Sequence, residues 1–176
     1  MKKKIYLGTV ISVIFILLCG IFVSLKDNKV ADWAENIWQI NSNIRKFYSN
    51  RPGFWGLSTQ SAIDNKLVPS HMVQNGKLVS VYGKELKIGR GINADTVMPG
   101  TRGFDIVLYN LTPKECAETL IFDYKAELLL GVNSVSIISD KNTKVLGWEE
   151  KNALPLSKQH AKNICEENST IIWHIE

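Results

Sequence analysis

The side chains in this sequence that could do chemistry are three histidines, three cysteines and a scatter of carboxylates. His71, His160 and His174 lie far apart in the chain. Neither HExxH nor CxxC occurs, the spacings that bring two metal ligands onto one helix face or one turn. Cys165 and His160 are five positions apart on an expected short helix, too far round for a thiolate and an imidazole to meet. Asp105, Glu115, Glu118 and Asp123 could approach a cation, but the plainer reading is a solvated face or helix capping. Gly89 and Gly91 precede no GKS or GKT, so no phosphate-cradling loop is expected. The reading predicts no catalytic residue, no metal ligand and no cofactor. Cys116 and Cys165, 49 positions apart, would form a disulfide in an exported domain; the alternative is that all three cysteines, Cys19 included, are buried free thiols.

The elements that must position these groups begin with residues 5 to 48. From Ile5 to Leu25 there is no charged side chain, a run of 21 residues. At about 1.5 Å per residue such a helix spans roughly 30 Å, the thickness of a bilayer core. Lys2, Lys3 and Lys4 before it predict a cytoplasmic N-terminus with the bulk of the chain outside. A cleaved secretory signal and a lipid anchor at Cys19 are the competing readings. Beyond Lys29, Val30, Trp33, Ile37, Ile40, Ile44, Phe47 and Tyr48 recur at three- and four-residue spacing, with Glu35, Arg45 and Lys46 between them. That pattern predicts one long helix, apolar all round at first and then amphipathic, packing Trp33, Ile37, Ile44 and Phe47 against the rest. Three segments follow: 1–29 as basic leader and transmembrane segment, 30–50 as the amphipathic continuation, and 51–176 as a globular α+β domain. The net charge of +4 is carried entirely by the leader, where five lysines oppose Asp27. The other 147 residues balance 16 basic against 16 acidic side chains, which argues against a nucleic-acid-binding domain.

Pro52 and Gly53 end the long helix, and Phe54 and Trp55 are expected to fold back onto its apolar stripe; contact of an exposed Phe-Trp pair with neighbouring subunits is the alternative. Ser58 caps a short helix over Thr59 to Lys66. Leu78–Tyr82 and Glu85–Ile88 are expected to pair through Gly83-Lys84. Phe104–Tyr109 reads as a central strand, since both faces carry apolar residues. Thr112, Pro113 and Glu115 form a capping box that opens a helix running to about Leu129, with Cys116 in its first turn. Val135–Ile138 is a further strand. Lys141–Pro155 reads as a polar segment anchored by Leu146 and Trp148. Ser157 caps a short helix leading to Cys165, and Thr170–Ile175 is a closing strand.

The stretch FDIVLYNLTPKECAETL (104–120), followed by VSII, Cys165 and STIIWHI, resembles the tail of type IV pilins of the type IVb branch. The resemblance implies an α+β pilin-like fold, in which a long N-terminal membrane-spanning and amphipathic helix packs on an antiparallel β-sheet. It implies a structural subunit of a type IVb pilus or related filament. Its partners would be other pilin subunits and the inner-membrane assembly platform, together with the membrane; nothing in the sequence supports a host receptor or DNA. Localisation would be the inner membrane with an exported, periplasmic domain, or a surface pilus. Prepilin cleavage would fall between Gly8 and Thr9. That places Val13 where the family carries Glu, at the fifth mature position, and points to a minor or tip-like subunit in assembly, adhesion or conjugation. The alternative is an uncleaved bitopic periplasmic accessory protein of a secretion or conjugation apparatus.

Overall fold

From Lys29 to Tyr48 the chain contains neither proline nor glycine, and in the computed structural model it forms α1, a 20-residue helix. Asp32 in the first turn and Arg45 and Lys46 in the last complement the helix dipole. Trp33, Ala34, Ile37, Ile40, Asn41, Ile44 and Tyr48 are buried, one stripe at helical spacing. Glu35 and Gln39 bond to each other across one exposed turn. The structure describes residues 29–90, 96–98, 100–122, 131–140, 143–146 and 154–176.

This helix corrects the expected fold class and localisation. Among the described residues no helix is long and apolar enough to cross a membrane. α1 is polar along one side, and it uses its apolar side for the sheet. The observed class is α+β, an amphipathic helix packed on an antiparallel sheet, without the membrane-spanning part; the inner-membrane placement that depended on that part falls with it. The apolar run 5–25, Cys19 and the Gly8–Thr9 junction lie outside the described residues.

The sheet has five strands in the order β3-β4-β7-β5-β6. These are β3 (Leu86–Gly89), β4 (Phe104–Leu111), β5 (Val132–Ile138), β6 (Thr143–Leu146) and β7 (Ser169–Ile175), every neighbouring pair antiparallel. Register aligns Ile88, Ile106, Trp173, Val135 and Leu146 in one row across the sheet, and Leu86, Leu108, Ile171 and Ile137 in the next. All of these are buried, and they form the face that meets α1. Trp33 stands 5.2 Å from Trp173 ring to ring. A second aromatic chain runs from Tyr48 through Phe54 to Phe104, at 5.7 and 4.9 Å. Both outer strands are guarded. The Thr59 hydroxyl accepts from the Ile88 N–H at 2.9 Å and donates to its carbonyl at 3.3 Å, closing the free side of β3. β6 carries exposed Thr143, Lys144 and Val145 at the other edge.

α2 (Thr59–Asp64) has the Ser58 cap in a capping box with Ser61. β1 (Val73–Gln74) and β2 (Lys77–Leu78) form a separate two-residue hairpin. It turns at Asn75 and Gly76, both with positive φ, as a twisted two-residue turn requires. The expected hairpin of 78–82 with 85–88 reduces to a single bridge between Val79 and Glu85, because β3 takes β4 as its partner instead. α3 (Pro113–Leu120) starts at the Thr112–Glu115 capping box and stops at Ile121, well before Leu129; residues 123–130 are outside the described set. Inside the expected polar segment 141–155 the chain forms β6, with Leu146 buried, while Trp148 is not described. α4 (Lys158–Ile164) is capped by the Ser157 hydroxyl, which accepts from the His160 N–H.

Candidate functional site

The outward rows of the sheet hold a constellation that sequence spacing could not reveal. Register places Asp105 on β4 beside His174 on β7, and His174 beside Ser134 on β5. Asp105 Oδ1 lies 2.8 Å from His174 Nδ1, and His174 Nε2 lies 2.7 Å from Ser136 Oγ. Asp105 is 2% exposed and Ser136 is 7% exposed, with Arg90 Nη1 at 4.0 Å from the carboxylate. Carboxylate, imidazole and hydroxyl thus stand in the order used to activate a serine nucleophile. The second requirement of that chemistry is missing. Ser136 sits mid-strand, with β6 on one side and β7 on the other, so its neighbouring backbone N–H groups belong to the two ladders. None can converge on an oxyanion. The arrangement is a cross-strand tie that satisfies a buried carboxylate and joins the three middle strands. Ser136→Ala is expected to cost about 1 kcal/mol and Asp105→Ala roughly 1.5–3 kcal/mol, read from urea unfolding midpoints. Equal, negligible losses would show that the tie contributes nothing.

The other candidate residues do not meet. His71 is exposed, and His160 lies on α4 away from His174. Glu115 accepts from the Thr112 N–H at 2.9 Å as a cap, and Glu118 pairs with Lys114 at 3.8 Å. Asp123 is outside the described residues. Among the described residues no group of three His, Cys, Asp or Glu side chains could hold a metal. Tyr82 bonds to Thr119 at 3.3 Å, and burial pushes its phenol up to about 12.

Cys116 and Cys165 are joined as a disulfide, Cα to Cα 5.8 Å, between the first turn of α3 and the residue after α4. Trp33, Ile37 and Ile44 are fully buried, while Phe47 packs partly buried at the margin of the core. Of the Phe54-Trp55 pair, Phe54 folds back as expected, but Trp55 is 67% exposed. Met98, on the segment bonded to this one, is 65% exposed. Backbone bonds from Gly56 to Val97 and from Val97 to Leu57 hold the two segments together. An exposed apolar pair on a tethered loop is the kind of surface that subunit contacts use.

Comparisons with known proteins agree with this architecture. The family described as PilS N terminal matches residues 27–176. Among solved structures, a type IVb pilin from Salmonella typhi is similar at 13% identity and a TM-score of 0.54, covering 81% of this chain and 97% of that one. TcpA, a type IV pilin from Vibrio cholerae El Tor biotype, is similar at 11% identity and a TM-score of 0.53, covering 85% and 100%. At these identities the likeness concerns the fold. No curated protein matches the chain. With the match extending from residue 27 to residue 176, the chain belongs to the PilS N-terminal family of type IV pilins and is a pilin-like structural protein.

Proposed function

We propose that the chain is a subunit of a type IVb pilus or related filament, incorporated as a minor or tip-like component that contributes to assembly, adhesion or conjugation. Membership of the pilin family implies association with other pilin subunits and with their assembly machinery in general. The observation that carries the finer reading is Val13. After cleavage between Gly8 and Thr9, Val13 would occupy the fifth mature position, where the resemblance expects a glutamate. In pilin-like filaments that carboxylate is the partner for a neighbouring subunit's α-amino group. An amine taken out of water without a partner costs several kcal/mol, roughly the penalty for any buried unpaired charge. A chain with valine there meets the penalty at every repeat in which another copy precedes it. At the tip no subunit precedes it, and valine costs nothing.

The test is stoichiometric. In sheared filaments this chain should be present at far below the amount of the most abundant pilin, and its N-terminal peptide should begin at Thr9. A ratio near one would overturn the minor role. Absence from filaments would overturn the subunit reading altogether.

A further inference from the structure

Asn75 is the one asparagine in the sequence followed by glycine, and the fold places the pair at the tip of the β1-β2 hairpin. Both residues are exposed, with φ of +51° and +74°. The strands they join pair only at Val73↔Leu78 and Gln74↔Lys77. Leu78 is buried, but Gln74 and Lys77 are exposed, so the tip can open without disturbing the core. Among the described residues the Asn75 side-chain amide has no hydrogen-bond partner, whereas those of Asn43 and Asn65 donate to the carbonyls of Leu67 and Ser61. A Cβ added at Gly76 would meet nothing within 4 Å, so the space beside the Asn75–Gly76 peptide bond is open.

The amide carbon of an asparagine side chain is an electrophile, and the backbone nitrogen of the next residue is the nucleophile nearest to it. The two meet when the bond between the asparagine Cα and its carbonyl carbon rotates. A side chain on the next residue shields that nitrogen, and a hydrogen-bonded ladder stops the rotation. Neither hindrance holds firmly at Gly76, which has no side chain and lies in a turn anchored by two residue pairs. Both hold at the other left-handed asparagines of β4 and the α4–β7 turn. Asn110 and Asn168 are exposed, but Leu111 and Ser169, which follow them, are fully buried and paired with each other across the sheet.

We propose that Asn75 is a modification site, converted spontaneously to aspartate and isoaspartate through a five-membered imide with Gly76. Hydroxide removes the Gly76 amide proton, the nitrogen bonds to Asn75 Cγ, and the Cγ–Nδ2 bond breaks as ammonia leaves. Water then opens the imide at either carbonyl. One opening restores the main chain and leaves an aspartate; the other routes the main chain through the side chain as isoaspartate, with one additional carbon. Either product replaces a neutral amide by a carboxylate and lowers the formal net charge of +4 by one. Isoaspartate also lengthens a two-residue turn whose geometry has no place for another atom, and so separates Gln74 from Lys77. The fraction of acidic copies therefore records the time since the chain was made.

Peptide mapping of the purified full chain after prolonged incubation in mildly alkaline buffer tests this. The tryptic peptide 67–77 should gain one mass unit, placed by fragmentation on Asn75 rather than Gln74, and isoaspartyl methyltransferase should label it. The rate should rise at least threefold per pH unit through neutrality, as attack by a deprotonated amide requires. In the folded chain Asn75 should react at least tenfold faster than Asn168. Unfolding in urea should accelerate Asn75 less than tenfold and Asn168 more than tenfold. Gly76→Ala should slow the reaction at least tenfold; the urea comparison uses the parent chain and stands whether or not that variant folds. The proposal fails if Asn168 reacts as fast as Asn75 in the folded chain, if urea accelerates the two alike, or if Gly76→Ala reacts as fast as the parent.

Discussion

Replacing Cys116 and Cys165 together by alanine is expected to lower the stability of the folded chain by about 4 kcal/mol. The bond spans 49 residues, and most of its effect is to shorten the reach of the unfolded chain. For a domain of this size that is a fall in melting temperature of roughly 10 °C. Position adds to the effect. One sulfur sits in the first turn of α3, directly after β4; the other sits between α4 and β7. The bridge therefore ties the exit of β4 to the entry of β7, two adjacent strands of the sheet. Thermal melts with and without reductant should show the same fall as the double variant. A shift under 2 °C, or two freely alkylated thiols in a non-reducing peptide map, would contradict it.

Trp33→Ala should cost about 3–5 kcal/mol, the range for emptying a large buried aromatic site. Trp33 is fully buried, and it packs on Trp173 of the sheet and within 6.5 Å of Tyr82. Through this ring contact α1 meets the central strand. One term opposes this. The Trp33 indole N–H is buried and has no hydrogen-bond acceptor among the described residues. Leaving such a donor unpaired costs about 1–3 kcal/mol. Trp33→Phe, which keeps a ring and removes the donor, should therefore lose far less than Trp33→Ala. Lys46→Ala, on the exposed side, should stay within about 0.5 kcal/mol of the parent. Urea unfolding measures all three, and equal small effects would mean that α1 is not part of the core.

Local signals carried most of the elements. Thr112, Pro113 and Glu115 announce the start of α3 within four residues, and Ser157 does the same for α4. The three- and four-residue repeat from Trp33 to Tyr48 marks the buried side of α1. What stayed hidden depends on pairing between distant segments. β6 reads as polar because three of its four residues are exposed at an edge on both faces, so alternation has nothing to show. Asp105, His174 and Ser136 are 69 and 38 positions apart, and only the β4-β7-β5 register brings them together. The packing of the 49–53 turn against Thr101 likewise depends on a glycine in the left-handed region, Gly53, whose neighbour across space is named nowhere in the local sequence. The one candidate signal was the Pro52-Gly53 turn itself.

The place of β7 between β4 and β5 governs when this protein can fold. β7 is synthesised after both of its neighbours, yet it supplies the pairing edge for each of them. Until it emerges, the chain holds two incomplete sheets, β3-β4 and β5-β6, and an α1 whose apolar side lacks Trp173 and Ile171. Assembly from the N-terminus onward is thus impossible for the core as a whole. The decisive contacts are long-range and form late, the topology associated with slow folding and with exposed strand edges meanwhile. The apolar side of α1 and the facing edges of β4 and β5 stay open until β7 arrives, and then close around it.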